Sequence, residues 1–146
     1  MRLSTKGRYG TRAILEIAKH YGEKPIKRKE IVLIQKIPDS YLENILITLK
    51  AAGLILTIRG AHGGYQLTRE PSSITVLQVV EALEGTIVPV HCIETQDSNC
   101  SRSGVCTTQP IWHELYQAMR EVLNKYTLED LLTKEKEAEG IVDYVI

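Results

Sequence analysis

The sequence contains no Phe, one Trp and two Met. Its core must therefore be built from Ile, Leu, Val and Ala. No apolar run approaches the ~20 residues that a membrane-spanning helix needs. The opening Met1-Arg2-Leu3-Ser4-Thr5-Lys6 has no apolar segment of the kind a secretion signal requires. The chain is thus expected to be cytoplasmic and to have no membrane partner. Cysteine is scarce and odd in number, at three, so a closed set of disulfides would leave one thiol over. In a reducing cytosol structural disulfides are disfavoured in any case. A catalytic constellation is missing as well: His20, His62, His91 and His113 have no triad-like context, and no enzymatic activity is expected. Internal repeats and low-complexity segments are also absent.

With 146 residues, 43% of them hydrophobic, the chain can bury the core of one small domain with an appendage. Its 18 basic and 18 acidic residues cancel in number but not in position. Residues 1–70 hold 13 Lys and Arg against 6 Asp and Glu, and residues 71–146 hold 5 against 12. The first half is therefore the candidate for binding a polyanion such as nucleic acid, although two differently charged solvated faces would give the same count.

Apolar residues at Tyr9, Ala13, Ile14, Ile17, Ala18 and Tyr21 recur at helical spacing. They predict a helix capped by Ser4 or Thr5 and ended by Gly22 and Pro25. A short helix over Lys27 to Gln35 is predicted to turn Ile31 and Ile34 inward. The turn Ile37-Pro38-Asp39-Ser40 leads into a third helix ending near Ala52, with Ser40 and Glu43 at capping-box spacing. Its inner face would carry Tyr41, Leu42, Ile45, Leu46 and Leu49, and Gly53 would stop it. The period then drops to two through Leu54 to Arg59 and again at Tyr65 and Leu67, around Gly60-Ala61-His62-Gly63-Gly64. That pattern predicts a β-hairpin with a glycine-rich tip. Three helices followed by a hairpin make a winged helix-turn-helix. Beyond Pro71, a fourth helix runs from Val76 to Glu84, capped by Thr75 with Gln78. A polar loop spans Thr86 to Gln109, a long helix runs from Pro110 to about Lys125, and Thr127 caps a short last helix holding Leu128, Leu131 and Leu132. The closing residues read as a tail or a packing strand. The fold class is mainly α with a small β-hairpin.

In a helix-turn-helix the first turn of the second helix meets base edges. Here that turn supplies Asp39, Ser40, Tyr41, Glu43 and Asn44, of which Glu43 can accept from a cytosine amino group. Glu43 also has a capping role open to it, and Tyr41 a core role. Lys27, Arg28 and Lys29 lie where phosphates could pass. Arg59 beside Gly60, His62 and Gly63 would suit the negative potential of the minor groove. Those glycines also serve simply to make the turn.

Cys92, Cys100 and Cys106 are spaced C-x7-C-x5-C in a polar loop. Structural cysteines normally sit among aliphatics, so this setting points to ligands or reactive thiols. Three converging thiolates suit an iron–sulfur cluster, a zinc ion with a fourth ligand, or a thiol redox switch. The spacing is not that of zinc ribbons. Candidates for a fourth ligand are Gln109 and His91. His113, one turn further on a helix, is more often an ordinary helix residue.

The stretches Met1-Arg2-Leu3-Ser4-Thr5-Lys6-Gly7-Arg8-Tyr9, Tyr41-Leu42-Glu43, Gly53-Leu54, Arg59-Gly60 with Gly63-Gly64-Tyr65, and Cys106 followed by Trp112 fall in order. Over roughly residues 1–135 the chain resembles the Rrf-two family of winged-helix transcription regulators, and within it the iron–sulfur cluster regulators. The resemblance implies a homodimer on double-stranded operator DNA, paired through the long C-terminal helix. It also implies that Cys92, Cys100 and Cys106 hold a [2Fe–2S] cluster, or a [4Fe–4S] one, that senses cluster supply, iron, oxidants or nitric oxide. Two positions depart from relatives: Gln109 stands where some carry a ligating histidine, and Arg8 where nitric-oxide sensors carry a carboxylate. The expected organisation is a DNA-binding domain at 1–85, a cysteine-bearing loop at 86–109, a dimerisation helix with a short follower at 110–136, and a tail at 137–146.

Overall fold

A computed structural model describes residues 2–95 and 100–145. Its elements are α1 (Thr5–Lys19), α2 (Arg28–Gln35), α3 (Asp39–Ala51), β1 (Ile55–Ile58), β2 (Gly64–Leu67), α4 (Val76–Glu84), α5 (His91–Thr95), α6 (Gln109–Lys125) and α7 (Leu128–Val145), with a 3-10 turn at Pro71–Ser73. β1 and β2 pair antiparallel, Ile55 opposite Leu67 and Ile58 opposite Gly64. Three helices and this hairpin form the winged helix-turn-helix.

The core is aliphatic, as the missing Phe requires. Ala13, Ile14 and Ile17 of α1, Leu42, Ile45, Leu46 and Leu49 of α3, Ile55 of β1 and Val79 of α4 are all buried in one cluster. Ser4 caps α1 by accepting from the Gly7 N–H at 3.1 Å, and Thr75 and Gln78 cap α4 reciprocally. The α2–α3 turn is pinned by Ile37, only 1% exposed, after Lys36 leaves α2 in a left-handed conformation at φ 52°. The hairpin is fixed to the body by an isolated bridge. Tyr65 N–H donates to the Ile26 carbonyl at 2.8 Å, and Ile26 N–H returns to Tyr65 at 3.2 Å. Gly64 permits that approach, because a Cβ there would lie 2.5 Å from the Ile26 carbonyl oxygen.

Several expectations are corrected. On α2 only Ile31 is buried; Ile34 is 53% exposed, because the eight-residue helix packs along one narrow edge. Tyr21 is exposed beyond the end of α1. The Ser40–Glu43 capping box does not form. α3 begins at Asp39 with Pro38 as its N-cap, which moves Ser40 inside the first turn and leaves Glu43 to pair elsewhere. The 86–109 segment is not all loop, since α5 lies within it. The last helix is neither short nor followed by a tail: α7 continues to Val145. A Thr127–Asp130 box starts it, with Thr127 N–H and hydroxyl both donating to Asp130 at 2.8 Å. From Lys134 to Glu139 its sequence is entirely Glu, Lys and Ala, good helix formers with no apolar stripe to betray them. The packing of the apolar residues after Gly140 lies outside the described side chains.

α7 docks at its first turn. Leu128 is fully buried in the winged-helix core, its N–H donating to Ile74 at 2.9 Å, while Val76 N–H donates to Tyr126 at 2.8 Å. Lys19 of α1 adds an ion pair to Glu135 at 2.9 Å. The end of α6 is thereby fastened to the start of α4.

Candidate functional site

Two surfaces carry the chemistry singled out by the sequence. The first is the exposed edge of the helix-turn-helix and its wing. On the first turns of α3, Asp39, Ser40, Glu43 and Asn44 are exposed. Tyr41 is half-buried and stacks edge-on to Tyr9, ring centroids 5.8 Å apart at 89°, so it helps hold α3 on α1. Lys27 and Lys29 are exposed at the start of α2. Arg28, between them, is turned inward to α3. Its Nε lies 2.9 Å from Asp39 and its Nη1 2.9 Å from Glu43. The two carboxylates expected to face bases therefore share one guanidinium.

At the wing tip Arg59, Gly60, Ala61 and His62 are all exposed. Gly60 has φ 110°, a conformation that side-chain-bearing residues rarely adopt, and Gly63 N–H donates back to its carbonyl at 3.0 Å. Gly63 is buried; a Cβ on it would lie 2.1 Å from the Ile58 carbonyl oxygen. The tip glycines thus have a demonstrable turn-making role. His62 also lines a polar hollow with His20, Lys24, Lys27 and Glu30, below the wing.

The second surface is a cavity of about 330 Å³ lined by Cys92, Ile93, Cys100, Ser103, Cys106, Gln109 and His113. α5 supplies Cys92, the turn before α6 supplies Cys100 and Cys106, and α6 supplies Gln109 and His113 one helical turn apart. All three thiols are free. The Cys106 thiol is held below its ordinary pKa, chiefly by the Thr108 hydroxyl 3.4 Å away and by the backbone N–H groups of Thr108 and Gln109 at the start of α6. Those donors favour the thiolate, the form that ligates metals and attacks oxidants. His91 lies outside this lining: its side chain is 76% exposed and turned toward Glu94.

Of the proposed fourth ligands, Gln109 therefore reaches the cavity, whereas His91 does not line it. His113, discounted from sequence, joins the lining because it sits four residues after Gln109 on the same face of α6. That spacing was the available signal. The three thiols are soft donors and the imidazole a borderline one, a combination that suits iron–sulfur chemistry better than the amide of Gln109 does. Among the described residues, no group of three or more His, Cys, Asp or Glu side chains closes on a single metal ion.

α6 connects this cavity to the winged helix. Arg120 pairs with Glu81 of α4, and its guanidinium lies over Tyr116, 5.5 Å from the ring centroid. The opposite side of α6 is apolar and uncovered, with Ile111 57% and Val122 58% exposed. Leu115, Ala118, Met119, Val122 and Leu123 line a groove of about 670 Å³ that continues onto Leu3, Ile87 and Val88. Among the described residues no helix is long and apolar enough to cross a membrane.

Residues 3–134 match a family model described as Rrf2, iron-dependent transcriptional regulator. Protein rrf2 of Nitratidesulfovibrio vulgaris is 46% identical over 132 residues, covering 90% of this chain and 87% of that protein. The solved structure of CymR, described as the global cysteine regulator of B. subtilis, superposes with a TM-score of 0.75 at 39% identity, covering 92% of this chain and 98% of that one. That of T. potens IscR superposes with a TM-score of 0.77 at 35% identity, covering 94% and 90%.

Proposed function

The chain belongs to the Rrf2 family of DNA-binding transcription regulators, and from that premise we propose that it is a cytoplasmic homodimer whose grip on an operator is controlled by an iron–sulfur cluster held on Cys92, Cys100 and Cys106. The observation that carries the cluster reading is the single cavity onto which the three thiols open, at the start of the helix with the uncovered apolar stripe. Ligands of a cluster bind different irons, so thiols spread around one cavity suit it better than a lone tetrahedral zinc ion. When bound, the cluster supplies an iron–sulfide centre whose assembly and oxidation state respond to iron supply, oxidants and nitric oxide. His113 is the proposed fourth donor, with Gln109 its rival; an imidazole is the stronger ligand.

In this reading the two α6 helices pair along the apolar stripe and remove it from water. Each protomer places the first turn of α3 in a major groove, the two about 34 Å apart. Ser40 and Asn44 meet base edges, Lys27 and Lys29 meet phosphates, and Arg59 with His62 follows the minor groove past Gly60 and Gly63. Asp39 and Glu43 act together with Arg28. The chain acts as a regulator and not as an enzyme.

A second reading, a thiol switch, is favoured by the lowered Cys106 pKa and by the relative named as a cysteine regulator. Anaerobic purification separates the two. The cluster reading expects visible charge-transfer absorbance and a paramagnetic signal on reduction, abolished in Cys92→Ala, Cys100→Ala and Cys106→Ala and shifted in His113→Ala. A colourless protein with stoichiometric zinc would assign a zinc site. A metal-free protein whose DNA binding follows reversible thiol oxidation would assign the switch.

A further inference from the structure

We propose that Arg28 is a specificity-determining positioning residue: by pairing with Asp39 and Glu43 it sets how strictly α3 selects a base, and it does not serve as a phosphate contact. The proposal rests on the reading that the first turn of α3 enters the major groove.

Arg28 is the first residue of α2, and Asp39 is the first of α3. The guanidinium meets both oxygens of Asp39, Nε to Oδ1 at 2.9 Å and Nη2 to Oδ2 at 3.2 Å, and extends Nη1 to Glu43 Oε1 at 2.9 Å. The arginine is the more covered partner: its side chain is 32% exposed against 53% and 54% for the two carboxylates. The cation thus lies behind the carboxylates, which face outward. A lysine could not reproduce this, because only the rigid guanidinium fork can meet one carboxylate bidentately while reaching a second.

Two consequences follow for a duplex docked here. Without Arg28 the turn would present two negative charges to a polyanion, and with it only one, so Arg28 lowers the repulsion that every sequence feels. The second effect depends on sequence. A bare Glu43 carboxylate accepts from the cytosine amino group and repels the acceptors that guanine and thymine show in the major groove. With Arg28 attached, that carboxylate is partly neutralised. The pair therefore tolerates several bases where Glu43 alone would demand one.

The test is selection of full-length, anaerobically purified protein on a randomised duplex library. Fluorescence anisotropy would follow on the best-bound duplex and its single-base variants, for wild type, Arg28→Gln, Arg28→Lys, Glu43→Gln and Arg28→Gln/Glu43→Gln. The proposal expects Arg28→Gln to bind all duplexes more weakly yet sharpen the preference for cytosine at one position per half-site by about tenfold, within the range for a specific base contact. Arg28→Lys should sharpen it partly, Glu43→Gln should flatten it, and the double variant should behave like Glu43→Gln. Uniform weakening by Arg28→Gln with unchanged base preferences, and a salt slope shallower by about one per protomer, would make Arg28 a phosphate contact and overturn the proposal. Unchanged preferences in Glu43→Gln would instead remove the α3 reading beneath it. Arg28→Lys keeps the charge and the helix, and decides the matter should Arg28→Gln fail to fold.

Discussion

Replacing Leu128 with alanine tests whether the C-terminal helix is part of the DNA-binding body or only follows it. Leu128 is fully buried in the main core cluster. The substitution removes three carbons, worth about 2.4 kcal/mol at ~0.8 kcal/mol per buried methylene. A residual cavity adds to that, giving a loss of about 3 kcal/mol, near the low end of the range for buried leucines. For a chain of this size that lowers Tm by roughly 9 °C. The half-buried Leu132, one turn on, should lose only about 1 kcal/mol, and the exposed Lys136→Ala should stay within about 0.5 kcal/mol of wild type. Urea and thermal unfolding measure all three at one fixed protein concentration, so that any self-association contributes equally to apparent stability. Operator affinity should fall with Leu128→Ala as well, since Tyr126 and Leu128 tie α6 and α7 to Ile74 and Val76. A Leu128→Ala protein as stable as Lys136→Ala would mean that the helix does not dock as described.

The wing is tested by Gly63→Ala. The new methyl would collide with backbone at Ile58, Arg59 and Gly60, none of which can swing aside like a side chain. Operator affinity should drop about tenfold for a stability loss of about 1–2 kcal/mol, and unaltered affinity by anisotropy would count against a wing contact. Val122→Glu places a charge in the apolar stripe of α6, so if the proposed dimer pairs there, analytical ultracentrifugation should show its association weakened at least about a hundredfold; a dimer of unchanged strength would put the seam elsewhere. Asp130, which accepts from the N–H and hydroxyl of Thr127, has its pKa held below the ordinary 3.8. Its contribution is complete above that ordinary value and lost as pH falls through the lowered one. The unfolding midpoint should therefore drop on acidification below about pH 4, and Asp130→Asn should flatten that part of the profile. An identical acid limb in the variant would show that the cap contributes nothing.

The winged helix was legible because its signals are local and redundant. α1 and α3 carry unbroken apolar stripes, Gly53 and Gly85 stop helices at positive φ, and the change to period two announces the hairpin. The misreadings share a physical origin. α7 loses its apolar face after Leu132 through the charged run Lys134–Glu139, so periodicity breaks there where capping and helix propensity sustain the helix. Ile34 fits the helical stripe of α2 but projects past the edge of a core too small to cover it. At the cavity, the thiols and Gln109 could be grouped from sequence because they are neighbours in the chain. His113 required knowing that α6 begins at Gln109 and so aligns the two residues. The Arg28 pairing was hidden for the opposite reason: it joins residues eleven and fifteen positions apart across a turn whose geometry only the fold supplies.

The distribution of burial also limits how the cavity can influence DNA. The helix-turn-helix is packed as one body, its α1, α3 and hairpin residues in a single cluster. A polar network reinforces it, with Gln35 of α2 donating to the buried Glu16 of α1 at 2.8 Å. Among the described residues the helix that carries Gln109 and His113, α6, packs on α4 and α5. The paths from the cavity run along α6, through the Arg120–Glu81 pair to α4, and through Tyr126 and Leu128 to Ile74 and Val76. Glu84 at the end of α4 then accepts from both Ser4 N–H and the Ser4 hydroxyl at the start of α1. A rearrangement of the cysteine segment would therefore move α6 against a rigid body that includes α4, whose Val79 and Leu83 lie in the same core cluster, since packed interiors transmit displacement better than they deform. In a dimer seamed along α6, such a motion changes the distance and angle between two otherwise unchanged α3 helices. On the proposed reading, control would then act on half-site geometry, while the identity of the bases read would stay with α3 and the residue that holds its carboxylates.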